Sequence, residues 1–159
     1  MSISFDDYIT EAIDSDIRLV ILSSRRKDGG LYKTVKKVVS LCKEKGITYY
    51  VAYAEEAIIT KNDDGKIAIF NVDDKKGFQI NKNNTVCLIR NSVTKGKASL
   101  DLISQIERYD IFCVNSRSCI EECYDKYLTY LRMSDMKVPT PKTALVTSQG
   151  GIEVAFKKV

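Results

Sequence analysis

The chain has 159 residues, 44% hydrophobic and 29% charged, with a net charge of +4 and no histidine. That is enough chain and enough apolar content for one globular domain with a core, and it excludes an imidazole base, ligand or pH switch. No run approaches the ~18 apolar residues of a membrane span and no basic-then-apolar leader opens the chain, so a cytoplasmic address is expected.

The segment "SFDDYITEAI" starts with Ser4 and Asp7 in capping-box spacing and sets Phe5, Ile9, Ala12 and Ile13 on one face. This predicts a short helix within an N-terminal extension over 1–16. "IRLVILSS" (17–24) is a nearly continuous aliphatic run, as a strand buried on both faces requires. "RRKDGG" (25–30) is a loop by composition. A helix follows from Leu31, with Val35, Val38, Val39 and Cys42 at helical spacing and Gly46 as its stop. Lys33, Lys36, Lys37, Lys43 and Lys45 form its solvated face. Lysines without interleaved aromatics give no base-stacking surface, so nucleic acid is not the expected partner. "ITYYVAYA" (47–54) reads as a second strand.

Two short β-type runs then flank Asn62-Asp63-Asp64-Gly65, a hairpin signal over 58–70. The stretch 73–84 is polar and turn-rich. "TVCLIR" (85–90) is a buried strand, 99–109 a helix, 110–115 a short strand, and 116–136 helical again. "PKTALVTS" (141–148) reads as a final strand. Alternating aliphatic strands and helices predict an α/β fold: a Rossmann-like open, mostly parallel sheet with helices on both faces and a β-hairpin extension. The expected division is 1–16, a main α/β domain over 17–122, and 123–159 as a linker helix and the start of a further domain.

Ligands of such sheets sit beyond the carboxyl ends of the strands, where strand order reverses. Three loops qualify: Ser23–Gly30, Arg90–Gly96 and Asn115–Ser118. Neither a GxGxxG nor a GxxxxGK[ST] loop follows the first strand. "SSRRKDGG" either holds an anion through Arg25, Arg26 and backbone amides or is an exposed basic loop. Arg90 closes a strand at a loop containing Asn91 and Ser92, where a guanidinium either pairs with a carboxylate or phosphate or simply stays solvated. Helix capping accounts for Asn115 and Ser116, and Asp125 and Lys126 read as surface residues. A phospho-receiver domain would need acidic residues where Ser24 and Arg25 stand. The five cysteines, 42, 87, 113, 119 and 123, show no CxxC spacing and read as reduced, buried thiols.

The stretches "IRLVILSSRRKDGGLYKTVKKVVSLCKEKGI", "VCLIRNS" and "CVNSRSCIEECYDKYLTYLRMSDMKVPTPKTALV" carry a family resemblance. Their order resembles the N-terminal half of ATP-grasp carboxylate–amine ligases, RimK-type α-L-glutamate ligases above all, with glutathione synthetases as cousins. The last stretch is the most specific: an Asn-Ser start, a helix, an Asp-Lys pair, a second helical piece, then a Pro-x-Pro exit into a strand. Ile89 and Ser92 stand where the family has proline and glycine. The resemblance implies a pre-ATP-grasp domain with an acceptor site at Arg90, the following Asn91 and Ser92, the loop Ser24, Arg25 and Arg26, and the pair Asn115 and Ser116. It implies that Lys126 reaches a nucleotide phosphate.

ATP and Mg²⁺ would serve the complete enzyme, which makes an acyl phosphate and lets an amine attack it. This chain alone would bind neither and would be inactive. Its expected partners are a C-terminal ATP-grasp half, in cis or in trans, and a small carboxylate or peptide acceptor; homo-oligomerisation stays open. The alternative is a stand-alone, non-catalytic α/β module that binds a small anion or a protein.

Overall fold

The aliphatic run near the start of the chain becomes a central strand because both of its edges find partners. This computed structural model describes residues 16–90 and 96–158; the expected N-terminal helix lies outside them. Along the chain come β1 (Arg18–Ser23), α1 (Lys33–Glu44), β2 (Thr48–Tyr53), β3 (Ala57–Lys61), β4 (Ile67–Asn71), β5 (Phe78–Ile80) and β6 (Thr85–Arg90). Then follow α2 (Lys97–Arg108), β7 (Phe112–Val114), α3 (Arg117–Tyr124), α4 (Lys126–Asp135) and α5 (Gly151–Phe156). The chain divides into two compact units, the first running to Arg117 and the second starting at Ser118.

In the first unit, β1 pairs in parallel with β2 on one side and β6 on the other, and β7 extends the sheet to the order β2-β1-β6-β7. Val20, Ile21, Leu22 and Ser23 are all buried in succession. Successive strand residues face opposite ways, so both faces of β1 are covered. The crossovers β1-α1-β2 and β6-α2-β7 run outward in opposite directions. With right-handed connections that sets α1 and α2 on opposite faces. The expected open parallel sheet with helices on both faces is what forms. Each aliphatic side chain fully buried along β1 contributes roughly 1.5–3 kcal/mol.

Helix α1 buries Val35 and Cys42 and leaves its lysines exposed. It stops where glycine permits: Gly46 takes φ +68°, and the Ile47 amide donates to the Cys42 carbonyl at 2.8 Å. Two of the helix's last carbonyls are thus satisfied across a left-handed residue.

The middle of the chain forms a separate antiparallel sheet, β3-β4-β5. Its hairpin turns at Asn62–Gly65, with Gly65 at φ +77° and the Lys66 amide donating to Asn62 Oδ1 at 2.7 Å. The polar stretch 73–84, read as loop, supplies a third strand instead. Phe78 stacks on Tyr50 with ring centroids 5.4 Å apart and lies beneath the Arg18 guanidinium at 4.8 Å. Tertiary contact therefore makes a strand of three residues that propensity alone leaves unassigned.

Asn71, buried at the end of β4, joins the two sheets. Its Oδ1 accepts from the Tyr53 amide at 2.8 Å, and its Nδ2 donates to the Val51 carbonyl at 3.1 Å and to the Tyr50 hydroxyl at 2.8 Å. The Tyr50 hydroxyl in turn donates to the Asp74 carboxylate.

In the second unit the helical stretch is interrupted at Asp125, whose Oδ1 accepts from the amides of Tyr127 at 2.8 Å and Leu128 at 3.1 Å. This carboxylate is the N-cap of α4. Helix α4 ends at a left-handed residue, Lys137 (φ +56°), with the Val138 amide donating to the Met133 carbonyl at 2.9 Å. Pro139 and Pro141 prevent its continuation. The strand expected at 141–148 does not form: the segment is irregular, and α5 follows it.

Burial followed by hydrogen bonding to Asp74 raises the Tyr50 pKa, and the Tyr50 hydroxyl holds the Asp74 carboxyl below its usual range. Stability from Asp74 is present above its unfolded pKa of about 3.9 and is lost as pH falls through the folded value. Stability from Tyr50 is present below its unfolded pKa of about 10 and is lost as pH rises from there. Urea denaturation of Tyr50→Phe against wild type across the pH range should show both losses reduced in the variant. Identical profiles would show that the pair is not coupled to folding.

Candidate functional site

Strand order reverses between β1 and β6, since the chain leaves β1 for β2 on one side and later returns to β1's other edge. The general rule for such sheets puts ligands outside the carboxyl ends of these two strands. Ser23 and Arg90 are register partners there, so the loop after β1 and the end of β6 share one rim.

Both arginines of the loop are ion-paired, one to a residue after β2 and one within the loop. Arg25 Nη2 meets Glu56 Oε2 at 2.7 Å, its guanidinium lies over the Tyr53 ring at 4.1 Å, and its backbone amide donates to Glu55 Oε2 at 3.3 Å. The Glu56 hydrogen bond raises the Arg25 pKa further. Arg26 Nη2 pairs with Asp28 Oδ2 at 2.8 Å. The Asp28 carboxyl is held below its usual range, first by the Gly30 amide and then by Arg26. Gly29 adopts φ +74°, which closes the turn. Arg25 and Arg26, for which composition left an anion site and an exposed basic loop both open, are ion-paired to Glu56 after β2 and to Asp28 within the loop.

Arg90 differs. It is exposed at the end of its strand, and among the described residues no carboxylate pairs with it. Ser24, which follows Arg90's register partner Ser23, is only 6% exposed, and its hydroxyl has no hydrogen-bond partner among the described residues. A buried hydroxyl left unmatched costs roughly 1–3 kcal/mol. Asn91 and Ser92 lie outside the described residues.

Asn115 is more than a cap. It adopts φ +68°, and its Nδ2 donates to the Ile89 carbonyl at 3.1 Å, clasping the end of β7 to the end of β6. Ser116 is partly buried in the following turn. Arg117 binds back onto α2: its amide donates to Glu107 Oε1 at 3.0 Å, and Nη1 reaches Ser104 Oγ at 2.6 Å and Asp101 Oδ1 at 3.2 Å. The first unit thus gathers Ser24, Arg25, Arg26, Arg90 and Asn115 at the carboxyl edge of one sheet.

Lys126 belongs to the second unit, where it is the exposed first residue of α4. The amides that would assist it toward a phosphate already bond Asp125. Lys126 offers a point charge only. Among the described residues no three His, Cys, Asp or Glu side chains come together as a metal site.

Sequence reading missed Tyr53, Glu55 and Glu56. The signal was available: they follow β2, and the loop after any parallel strand reaches the same rim. The cysteines also divide: Cys42 and Cys87 are buried, Cys113 is half-buried, and Cys119 and Cys123 are exposed, contrary to a uniformly buried set.

Replacing Asn115 separates its two roles. Asn115→Ala should cost about 2 kcal/mol, from the lost clasp and the strain of a left-handed alanine, and Asn115→Gly about half of that. Chemical denaturation reads both; equal losses would remove the backbone contribution.

No family model matches the chain. Over 98 residues, 60% of its length, the chain is 29% identical to a glyceraldehyde-3-phosphate dehydrogenase of Neurospora crassa. The likeness spans 29% of that protein.

Proposed function

We propose that this chain is the N-terminal, substrate-side part of an ATP-dependent carboxylate–amine ligase of glutamate-ligase type. Its α/β unit would present the acceptor, and a partner segment, in cis or in trans, would supply the ATP and Mg²⁺ machinery. The observation that carries the reading is Arg90 at the switch point, an exposed guanidinium whose residue is in register with Ser23, the neighbour in sequence of the buried and unmatched Ser24. Such a guanidinium suits a carboxylate, which it can meet with two parallel hydrogen bonds. The break at Asp125, the second helix and the proline exit agree with the linker that the sequence resemblance implies. The dehydrogenase likeness spans too little of that protein to argue for or against this reading.

Within this reading Arg90 and Ser24 bind the acceptor, while Arg25 and Arg26 hold the loop. Asn91 and Ser92, which follow Arg90, and Ser116, beside Asn115, complete the proposed acceptor edge. The acceptor is a small carboxylate or the carboxyl end of a peptide, and the setting is the cytoplasm. Among the described residues no helix is long and apolar enough to cross a membrane.

Arginine replacement tests the division of labour. Titration with L-glutamate, followed by amide NMR shifts, should perturb Ser24 and Arg90 in wild type. The perturbation should vanish in Arg90→Ala and persist in Arg25→Ala. Loss in Arg25→Ala alone would reverse the assignment.

Nucleotide binding provides a separate measurement. An exposed charge pair contributes only ~0–1 kcal/mol, whereas micromolar affinity needs about −8 kcal/mol. Calorimetry of Mg-ATP with the 159-residue chain alone should therefore show no micromolar binding. Added partner segment should restore it in a Lys126-dependent way. A micromolar signal from the chain alone that Lys126→Ala abolishes would defeat this assignment.

A further inference from the structure

Cys87 in β6 and Cys113 in β7 are register partners in a parallel pair. Register partners project from the same face, and neighbouring strands lie about 4.8 Å apart. That spacing falls inside the 4.4–6.8 Å range over which two Cα atoms accept a disulfide. The two thiols differ in access: Cys87 is 0% exposed, whereas Cys113 is half-buried at the sheet's outer strand. Nothing in the proposed ligase role uses either sulfur.

We propose that Cys87 and Cys113 form a dithiol oxidation site for hydroperoxides. Cys113 is the sulfur an oxidant reaches. The Cys113 thiol gives up its proton and its thiolate attacks the peroxide; the O–O bond breaks, Cys113 becomes a sulfenic acid, and the leaving alkoxide or hydroxide takes up that proton and departs as an alcohol or water. Cys87 then attacks the Cys113 sulfur, the S–O bond breaks, and the hydroxyl leaves with the Cys87 proton as water. The dithiol gives two electrons to the peroxide and ends as one disulfide. The bond would fasten β7 to β6 just below Asn115, whose amide already clasps Ile89. Oxidation therefore fixes the strand end that carries one side of the rim.

The exposed Cys119 and Cys123 would confuse a simple thiol count, so the test uses the full chain carrying Cys119→Ser and Cys123→Ser. Reduced protein is treated with hydrogen peroxide, alkylated under denaturing conditions and mapped by non-reducing mass spectrometry. A linked pair of peptides containing Cys87 and Cys113 is expected, with Cys42 alkylated. Adding Cys87→Ser should leave a Cys113 sulfenic acid that dimedone traps. Adding Cys113→Ser, at the more accessible position, should leave Cys87 alkylated and no link. The proposal is overturned if peroxide leaves both thiols alkylated. It is equally overturned if Cys113 accumulates as sulfenic or sulfinic acid while Cys87 remains a thiol, because the partners then fail to react.

Discussion

Everything in the first unit is arranged around β1, which must be paired on two edges and covered on two faces. Its residues from Val20 to Ser23 leave no surface for water, so β2 and β6 have to flank it and helices have to lie on either side. That one requirement creates the reversal of strand order between β1 and β6. The switch point at their carboxyl ends is a consequence of burying an aliphatic strand, and the polar residues that follow it become a rim.

Much of this was legible because the residues that decide it are local. A continuous aliphatic run, a helix with one apolar stripe ending at Gly46, and Asn-Asp-Asp-Gly between β-type runs each specify their own conformation. The failures lie where long-range contact decides. Phe78-Gln79-Ile80 is too short to announce a strand, and what holds it is pairing with β4 and packing against Tyr50 and Arg18. Ala144-Leu145-Val146 has strand propensity, yet among the described residues it pairs with no strand. Propensity for a sheet is a statement about neighbours, and neighbours are not in the local sequence.

The candidate site was legible in position and illegible in charge. The rule of carboxyl ends located Ser24, Arg25, Arg26, Arg90 and Asn115 together without any knowledge of side-chain pairing. Composition left Arg25 and Arg26 open between anion ligands and an exposed basic loop. Glu56 lies 31 positions from Arg25 in sequence and only 2.7 Å away in space, because β1 and β2 are neighbours in the sheet. A net charge along the chain is therefore a poor guide to the field at a rim where loops from different strands meet.

Cancelling those charges alters what the rim can distinguish. A free cluster of three arginines would attract any polyanion, with little regard for its shape. With two of them ion-paired, Arg90 is the arginine of the three for which no carboxylate partner is found among the described residues, and an exposed pair to it contributes only ~0–1 kcal/mol. The unmatched Ser24 hydroxyl then becomes the larger lever, since satisfying a buried polar group recovers about 1–3 kcal/mol. A ligand that brings charge without a group able to reach Ser24 gains only the smaller contribution. In the proposed acceptor site, discrimination would therefore rest on a hydrogen bond to Ser24 as well as on charge, with Arg25 and Arg26 already tied to Glu56 and Asp28.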